Sequence, residues 1–534
     1  YRPGLDLIRL EAEQNELLDG PTGVVEQIQE EAKLAPWYVA APEGVDICWA
    51  GLRNKLEVSG MADAVPDIDV ASTKVVAHLA NPNVRGLAKR GLVLGYVQSG
   101  KTANFTSVMA KAADAGYCLF IVLSGLHNNL RQQTQVRLDN DLMDEDWHPL
   151  TSADADFSNS TPGTALLKKR MKSLAVVKKN TTRLQALRDW LRDIPMETRR
   201  KVPILLLDDE ADQATPNSAK AEEERSRINE LVRQIWREIP TGTYLGYTAT
   251  PFANVFMDPA DEEELYPADF IIDLPRPESY FGAERIFGRE PLHDDDDPDS
   301  GLDMVRNIPE SEADLLKPPS RLADRESFDP ELPESLKEAV RWFVLAAAVR
   351  RYRGQIAKHS SMLVHTTHFV DPHFALKRRV EAYLEELLRG WGEGERGGLR
   401  RTYADEADRV TEVGPKVTPA WEALEDEVER VLEEARVVVD NGRSDDRLDY
   451  ARRDPRGNVI PETVIAIGGG TLSRGLTLEG LIVSYFTRTS NTYDTLLQMG
   501  RWFGFRPGYE DLPRMWLQKS LAQEFRFLAL IEEE

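Results

Sequence analysis

A short apolar strand that runs into a glycine-rich loop constrains the fold of this chain more than any other feature. Leu92–Leu94 are followed at 95–102 by Gly-Tyr-Val-Gln-Ser-Gly-Lys-Thr. In a loop of this pattern, backbone amides and the start of the next helix point at a phosphate, the lysine adds a positive charge, and the threonine hydroxyl is a ligand for Mg²⁺. The predicted contacts to a bound nucleotide and its Mg²⁺ are Gly95, Gln98, Ser99, Gly100, Lys101 and Thr102.

The order of apolar runs predicts the rest of this domain. From Gly91 to about Met257, short apolar runs alternate with longer amphipathic stretches. Strands that read as continuous apolar runs are buried on both faces, which is typical of a parallel sheet covered by helices. The runs expected to form strands are Leu92–Leu94, Cys118–Leu123, Leu174–Val177, Ile204–Leu207 and Tyr244–Tyr247.

One of these runs ends in acidic residues. Ile204–Leu207 are followed by Asp-Asp-Glu-Ala-Asp at 208–212. An open parallel sheet binds its ligand at the carboxyl ends of its strands, so these carboxylates are expected beside the phosphate loop. Asp209 is then predicted to hold Mg²⁺ through water, and Glu210 to orient or deprotonate the attacking water. Seen alone, an acidic strand end is equally typical of a turn or a helix cap.

Length and composition bound the class of protein. A chain of 534 residues is too long for a single core, and 41% hydrophobic with 29% charged residues is the balance of a globular protein. The longest apolar run, Trp342–Val349, is too short to span a bilayer, and a cytoplasmic location is predicted. Two cysteines exclude a disulfide framework. The chain starts at Tyr1 and not at a methionine, and it is therefore expected to be a piece of a longer protein.

The net charge bears on the partners of the chain. A formal charge of −24 is opposite to that of a protein that coats nucleic acid. A local basic groove is still compatible with it, because acidic residues concentrate at 261–264 and 294–297. A basic cluster lies elsewhere, and most such clusters are solvated faces. It consists of Lys168, Lys169, Arg170, Lys172, Lys178, Lys179 and Arg183.

Four segments are predicted along the chain. Residues 1–84 show helical periodicity, as at Leu7, Leu10 and Leu17, and are expected to form a helical region. Residues 85–257 form the first sheet domain, and 258–335, rich in Asp, Glu and Pro, form a surface excursion. Residues 336–534 form a second sheet domain with a helical insertion at about 375–455. Its predicted elements are the helix Leu336–Tyr352 and the strands Met362–His365, Val464–Ile467 and Leu481–Phe486.

The acids and three later motifs resemble those of superfamily-two helicases. Residues 209–212 spell the DEAD box, and Thr248-Ala-Thr250 resembles motif III, which in that family links the nucleotide site to the nucleic-acid site. Residues 468–480 resemble motif V, and 498–506 resemble motif VI. The resemblance implies two RecA-like domains that bind ATP between them. It adds Gly475 and Gln498 to the predicted nucleotide contacts.

Motif VI supplies arginines in this family. Arg501 and Arg506 are expected to reach the γ-phosphate as arginine fingers, which neutralise charge in the transition state. The two arginines of the usual motif stand three residues apart, whereas Arg501 and Arg506 stand five apart. Which of the two is the finger therefore stays open, with Arg501 preferred because it directly follows Gly500.

The amino-acid sequences of four segments resemble one particular family within this superfamily. Residues 95–102, 123–131, 246–254 and 498–506 are similar to the Z-one domain family, over about residues 85–530. Its members are helicase-like proteins, often labelled endonucleases, associated with MORC-type ATPases, nucleases and other bacterial defence or restriction genes. The resemblance implies a role in antiphage defence. It also implies that the chain binds nucleic acid, with DNA favoured over RNA, and that a nuclease or a MORC-type ATPase is a further partner.

Contacts to nucleic acid are predicted from the positions of the same motifs. Polar side chains after strands can meet phosphates independently of sequence, although each of them is equally suited to capping its own helix. The candidates are His127, Asn128 and Arg131 at motif Ia, Thr248 and Thr250 at motif III, Thr366 at motif IV, and Ser473 and Arg474 at motif V.

The sequence bears differently on two other functions, a nuclease and a nucleotide-gated switch. A nuclease would need an acidic cluster, and Pro66-Asp67 has no Asp/Glu-x-Lys partner downstream. A nucleotide-gated switch would use the same fold without unwinding, and the acidic charge favours it. ATP is predicted over GTP, because the only Asn-Lys pair, Asn54-Lys55, precedes the phosphate loop and lacks an Asp two residues on.

Overall fold

Thirteen strands are present among the residues that the structure, a computed structural model, describes. The described residues are 36–40, 47–96, 100–126, 128–144, 146–158, 161–212, 223–249, 254, 257, 264–276, 280–289, 300–319, 321, 325, 327–367, 369–415, 418–440, 448, 450, 452–456, 458–469, 478–487, 496 and 500–533. The strands are β1 Ala88–Leu94, β2 Leu119–Ser124, β3 Trp147–Pro149, β4 Lys172–Lys178, β5 Ile204–Asp209, β6 Gly242–Thr248, β7 Phe270–Asp273, β8 Val305–Asn307, β9 Ser360–His365, β10 Arg436–Asp440, β11 Thr463–Gly468, β12 Leu481–Phe486 and β13 Arg514–Leu517.

The strands form two sheets in two separate units. Described residues up to 276 form the first unit, and those from 280 onward form the second. The first sheet has the order β3-β4-β2-β5-β6-β1-β7, and the second has the order β10-β11-β9-β12-β13-β8. All neighbouring strands in both sheets are parallel. The predicted α/β class with two parallel sheets is therefore confirmed.

The register of the first sheet decides which strand ends meet. Strand β6 lies between β1 and β5, with Leu94 opposite Thr248 and Asp209 opposite Tyr247. Because the strands are parallel, the loop after β1, the acids after β5 and Thr248 all lie at the carboxyl edge of the sheet. The sequence motifs thus gather at the edge where such a sheet binds ligands.

Helices cover both faces of the first sheet. Side chains alternate along β5, so Leu205 and Leu207 pack on one face with the helix Lys101–Ala115, and Ile204 and Leu206 pack on the other. Fully buried strands of this kind are the continuous apolar runs of the sequence. The helices of the first unit are Ile47–Leu56, Val65–His78, Lys101–Ala115, Asn128–Leu142, Gly163–Lys169, Thr181–Arg192, Met196–Arg199 and Glu223–Arg237.

The described N-terminal helices belong to this same core. Trp49 and Leu52 are buried with strands of the first sheet. Asp114, from the helix Lys101–Ala115, accepts from the amides of Cys48 and Trp49 at 3.0 and 2.9 Å and so caps the first described helix. The predicted helical region therefore packs, in its described part, as a layer of the first unit. The periodic positions Leu7, Leu10 and Leu17 lie outside the described residues.

The second unit is built around the helix Glu334–Tyr352. Its apolar middle, including the fully buried Trp342 and Phe343, packs between the sheet and the helix Trp421–Glu434. A smaller cluster with Leu363 and Val438 covers the opposite sheet face. The helices of this unit are Ala283–Phe287, Glu310–Leu315, Glu334–Tyr352, Val370–Gly392, Gly397–Glu406, Trp421–Glu434 and Lys519–Glu533.

Two of the predicted segments contain edge strands in the structure. The acidic segment 258–335 contributes β7 beside β1 and β8 beside β13, so its described residues include an edge strand of each sheet. The insertion at about 375–455 contains β10, which pairs with β11. Edge strands of three to five residues are too short to show a periodic pattern in the sequence.

Two sequence expectations concern the chain as a whole. None of the described helices is long and apolar enough to cross a membrane. Cys48 and Cys118 are buried free thiols, as expected for small core residues.

Candidate functional site

The phosphate loop begins where β1 ends. The Gly95 amide donates to the Thr248 carbonyl at 3.1 Å, which continues the pairing of β1 with β6 into the loop. The helix Lys101–Ala115 starts after Gly100, whose φ of 91° lies in the left-handed region that glycine adopts without a steric penalty. Lys101 Nζ donates to the carbonyls of Gly95 and Tyr96 at 3.3 and 3.1 Å. The carbonyls at the start of the loop thus hold the ammonium group of Lys101, which follows the loop in sequence.

Gly95 allows this close approach. A Cβ added there would come within 3.0 Å of Lys101 Cγ and 3.2 Å of Leu274 Cδ1. The lysine stem therefore occupies the space that a larger residue would need. Gln98 and Ser99 lie outside the described residues.

The acids at the end of β5 separate onto the two faces of the sheet. Asp208 is fully buried on one face, where Tyr244 Oη donates to it at 2.8 Å. Asp209, the next residue along the strand, projects to the other face, on which the phosphate-loop helix packs. Burial and the charge of Glu210 raise the pKa of Asp209 to about 7, while Lys101 and Lys179 act to lower it. The structure thus brings Lys101 and Asp209 into one electrostatic environment.

Asp209 and Thr102 suit a hard divalent cation. A carboxyl whose pKa is raised by burial and by a neighbouring acid gains a favourable partner when a cation binds beside it. Thr102 is the second residue of the phosphate-loop helix, and hydroxyl and carboxylate oxygens are the ligands that Mg²⁺ prefers. Among the described residues, no group of three His, Cys, Asp or Glu side chains converges as a metal cluster would.

Glu210 has an unusual backbone conformation. Its φ is +56°, and Arg170 is the only other non-glycine residue with a positive φ among those described. A glutamate in the left-handed backbone conformation costs free energy that surrounding contacts must offset. Residues in such conformations concentrate at functional sites. One such contact comes from Lys179, whose Nζ donates to the Glu210 carbonyl at 2.8 Å.

Motif III is joined to the DEAD box by side-chain and backbone bonds. Thr248 Oγ1 donates to Asp212 Oδ1 at 2.9 Å, and the Ala211 amide donates to the Tyr247 carbonyl at 2.9 Å. Asn254 Nδ2 donates to the Ala211 carbonyl at 3.2 Å. The turn after β5 is therefore fixed to the end of β6. Thr250 lies outside the described residues.

A second link joins β6 to the phosphate-loop helix. Tyr247 Oη donates to Asn104 Oδ1 at 2.8 Å, and both residues are buried. Burial and the charge of Asp209 raise the pKa of Tyr247, which keeps the hydroxyl protonated as a donor. No role is predicted for Asn104 or Tyr247 from the sequence. A buried asparagine one turn into a phosphate-loop helix looks, in sequence, like a solvated polar position.

The predicted motif Ia residues occupy different environments. Asn128 is the exposed first residue of its helix. Arg131 is buried, and its guanidinium donates to the carbonyls of Ser152 and Ala153 at 2.9 and 2.5 Å. Arg131 therefore ties its helix to a neighbouring loop, and its buried guanidinium is not exposed as the predicted contact to nucleic acid would need. His127 lies outside the described residues.

The motif VI arginines of the second unit also differ from each other. Arg506 is buried, and it donates to the carbonyls of Trp502, Phe503 and Phe505 at 3.1, 3.2 and 2.7 Å. Arg501 is half-buried, and its own carbonyl lies 3.4 Å from Arg506 Nη2. Arg506 thus braces the loop that carries Arg501.

The remaining predicted residues are distributed as follows. Thr366 directly follows β9, at the carboxyl end of a central strand of the second sheet. The other residues predicted for motifs V and VI lie outside the described ranges. They are Ser473, Arg474, Gly475 and Gln498.

Together, a parallel sheet with a glycine-rich loop after one strand and paired acids after another has the arrangement of a P-loop α/β fold. The family model of the Z1 domain matches residues 335–534, which form most of the second unit. The match confirms, for those residues, the resemblance inferred from the motifs. None of the curated proteins matches the sequence significantly.

Solved structures give matches at low sequence identity. Saccharomyces cerevisiae Dbp5 bound to RNA and ADP BeF3 has 12% identity and a TM-score of 0.39, with 83% of each chain covered. The type ISP restriction-modification enzyme LlaBIII bound to DNA has 12% identity and a TM-score of 0.42, over 82% of this chain and 28% of that one. Mycobacterium smegmatis helicase Lhr bound to ssDNA and AMP-PNP has 14% identity and a TM-score of 0.39, over 88% and 47%. The chain thus spans less than half the length of the last two.

Proposed function

We propose that this chain is an ATP-hydrolysing motor of the superfamily-two helicase type that acts on nucleic acid. One observation carries the proposal. Lys101 and Asp209 share one environment at the carboxyl edge of the first sheet, where the lysine charge acts to lower the pKa of the carboxyl. A phosphate-loop lysine beside a strand-end acid is the pair that nucleotide hydrolysis needs to hold a phosphate and its cation.

Each residue at this edge has a separate role in the proposal. Lys101 binds the β- and γ-phosphates, and Thr102 and Asp209 hold Mg²⁺, which when bound neutralises phosphate charge. Glu210, held in its left-handed conformation, orients the attacking water or takes its proton. The bond from Thr248 to Asp212 connects this edge to motif III.

Steady-state ATP hydrolysis tests the assignment. Lys101→Ala should weaken ATP binding, because it removes the phosphate contact. Glu210→Gln should keep ATP affinity within about threefold and lower kcat by about 100-fold or more, because an amide cannot act as a base. Glu197→Gln, the same change at an exposed helical position, is the matched control and should hydrolyse ATP normally. Normal turnover by the Glu210→Gln enzyme would show that Glu210 does not orient or deprotonate the attacking water.

For the substrate, we propose DNA, in a bacterial antiphage or restriction system with a nuclease or MORC-type ATPase as partner. The similarity of the motifs to the Z-one family supports this part of the proposal. ATPase rates measured with single-stranded DNA, duplex DNA, RNA and no nucleic acid test the substrate. Phage plating on cells that carry the locus with Lys101 intact or replaced by Ala tests the role in defence. Stimulation by RNA alone would contradict the DNA assignment.

A nucleotide-gated switch is the second candidate. The net charge of −24 favours it, because repulsion from a polyanion opposes binding along the chain. In this case ATP would still be hydrolysed at the same residues, but no nucleic acid would change the rate. The four-way comparison of ATPase rates therefore separates the two candidates.

A further inference from the structure

Lys179 is a fully buried lysine next to the proposed catalytic acid. The basic cluster in which it lies predicts a solvated face, but its side chain has no exposure in the structure. Its amide donates to the carbonyl of Gly125 at 3.1 Å, which fixes its backbone to the end of β2. Its Nζ reaches the end of β5, where it lies 2.5 Å from Asp208 Oδ1 and donates to the Glu210 carbonyl at 2.8 Å.

The partner acid is fixed in turn. Asp208 is also fully buried, and Tyr244 Oη donates to its second carboxylate oxygen at 2.8 Å. Replacing a buried ion pair with apolar residues is often neutral for stability, so such a pair is weak evidence for a stabilising role. What distinguishes this pair is the third contact of the ammonium group, with the backbone of Glu210.

The backbone of Glu210 is strained. Glu210 has a φ of +56°, a conformation that an unconstrained glutamate rarely adopts. The direction of its side chain depends on this conformation, because the backbone angles of a residue set the direction of its Cα–Cβ bond. A donor that holds the carbonyl of Glu210 therefore also constrains where its carboxylate points.

We propose that Lys179 is a positioning residue, which holds the Glu210 carbonyl from the far face of the sheet and so keeps the Glu210 carboxylate aimed at the attacking water. Asp208 and Tyr244 hold the ammonium group in place. This inference rests on the proposed function, since it assigns Glu210 a role in hydrolysis. In this role Lys179 acts on hydrolysis only through the backbone of Glu210.

Two variants test the contact, and the double variant leaves no unpaired charge in the core. Lys179→Met alone would leave Asp208 as an unpaired buried charge, so it is combined with Asp208→Asn, which still accepts from Tyr244. Asp208→Asn alone removes the ion pair but leaves the Lys179 bond to Glu210. Turnover is measured per nucleotide-binding site, counted by titration with a fluorescent ATP analogue, so that unfolded chains do not enter kcat.

The expected result is a split between kcat and affinity. The double variant should lose about 10- to 100-fold in kcat, as misplaced catalytic groups do, with the Kd for the analogue within about threefold. Asp208→Asn alone should keep kcat within about threefold. Equal losses in both variants would overturn the proposal, because the effect would then come from the ion pair. Loss of nucleotide binding in the double variant would also overturn it.

A matched buried lysine separates positioning from stability. Lys111 is likewise buried and donates to Asp69 and to Thr73, but it lies ten residues beyond Lys101 along the phosphate-loop helix. Lys111→Met should lower the melting temperature and leave kcat per site unchanged. Glu210→Gln is assayed in parallel. If it turns over normally, the proposed function fails; if it is inactive and the double variant turns over normally, only the role of Lys179 fails.

Discussion

The hydroxyl of Thr248 donates a 2.9 Å hydrogen bond to Asp212, the last residue of the DEAD box. Thr248 is fully buried at the end of β6, the strand that separates the phosphate-loop strand from the acidic strand. Its carbonyl also accepts from the Gly95 amide. One residue therefore contacts both the start of the phosphate loop and the end of the acidic turn.

Removing that hydroxyl should uncouple hydrolysis from nucleic acid. In Thr248→Val the side-chain shape is kept and the bond to Asp212 is lost. We expect basal ATP hydrolysis and ATP affinity within about threefold of wild type, and a stimulation by nucleic acid reduced by about tenfold, since one hydrogen bond to a charged group contributes roughly 1.5–3 kcal/mol. ATPase rates with and without nucleic acid give both quantities.

The same substitution at the other end of β6 provides the control. Thr243 is equally buried, and its hydroxyl accepts from the Ala80 amide at 2.9 Å. Thr243→Val should lower the melting temperature, because it leaves a buried amide unsatisfied. It should keep normal stimulation by nucleic acid. If both variants lose stimulation equally, the Thr248 bond has no special role in coupling.

Asp209 predicts how stability depends on pH. Its pKa is raised from 3.8 to about 7, so between these values the folded protein binds the proton that the unfolded chain has released. Stability then falls as the pH rises through this window. Asp209→Asn should raise the melting temperature by roughly 2–4 °C at pH 8 and change it little at pH 4. Thermal scans of both proteins without nucleotide are the measurement, and an unchanged melting temperature at pH 8 would contradict the raised pKa.

The strands of both sheets could largely be predicted from the sequence. Continuous apolar runs such as Cys118–Leu123 and Leu481–Phe486 coincide closely with β2 and β12, because strands buried on both faces need apolar side chains throughout. The edge strands β3, β7, β8 and β10 and the internal strand β13 were not predicted. In β8, Arg306 is bound by Asp303 and Glu406, so a charged residue occupies a strand that no apolar pattern marks.

The residues that support the site could not be predicted. Lys101, Asp209 and Glu210 follow a pattern of local spacing, because the loop and the strand end are each formed by consecutive residues. Lys179 and Asn104 depend on partners far away in sequence, at Asp208 and Tyr247. A lysine in a basic run and an asparagine in a helix show their burial only once the fold has brought their partners to them.

Binding to nucleic acid should depend on salt and, separately, on Asn128. Contacts from Lys and Arg to phosphates release counterions, so affinity should fall by about tenfold or more between 50 and 200 mM salt. Asn128 is exposed at the start of its helix. Asn128→Ala should weaken binding by about 2- to 10-fold without changing the slope with salt, because the side chain is neutral.

Fluorescence anisotropy with labelled single strands provides these affinities. Asn140→Ala, at an exposed position near the other end of the same helix, is the control and should bind normally. Absence of binding at the lowest salt, with and without nucleotide, would favour the switch over the motor.

The motif VI arginines should separate into a catalytic and a structural residue. Arg506 donates to four neighbouring carbonyls of its loop and is buried, whereas Arg501 is only half-buried. Arg501→Ala is expected to lower kcat by about 1,000-fold at saturating ATP and nucleic acid, with ATP affinity changed by less than about fivefold, as for an arginine finger that acts mainly in the transition state.

Arg506→Ala should act differently, because it removes the hydrogen bonds that the Arg506 side chain donates to the carbonyls of Trp502 and Phe503. We expect a lower melting temperature together with a loss of kcat smaller than that of Arg501→Ala, since the brace disturbs the finger only indirectly. Lys519→Ala, at an exposed position in the same unit, is the control and should change neither quantity. Should Arg501→Ala retain near-normal turnover while Arg506→Ala loses it at an unchanged melting temperature, the finger would be Arg506. Near-normal turnover in both variants would show that neither arginine acts as a finger in ATP hydrolysis.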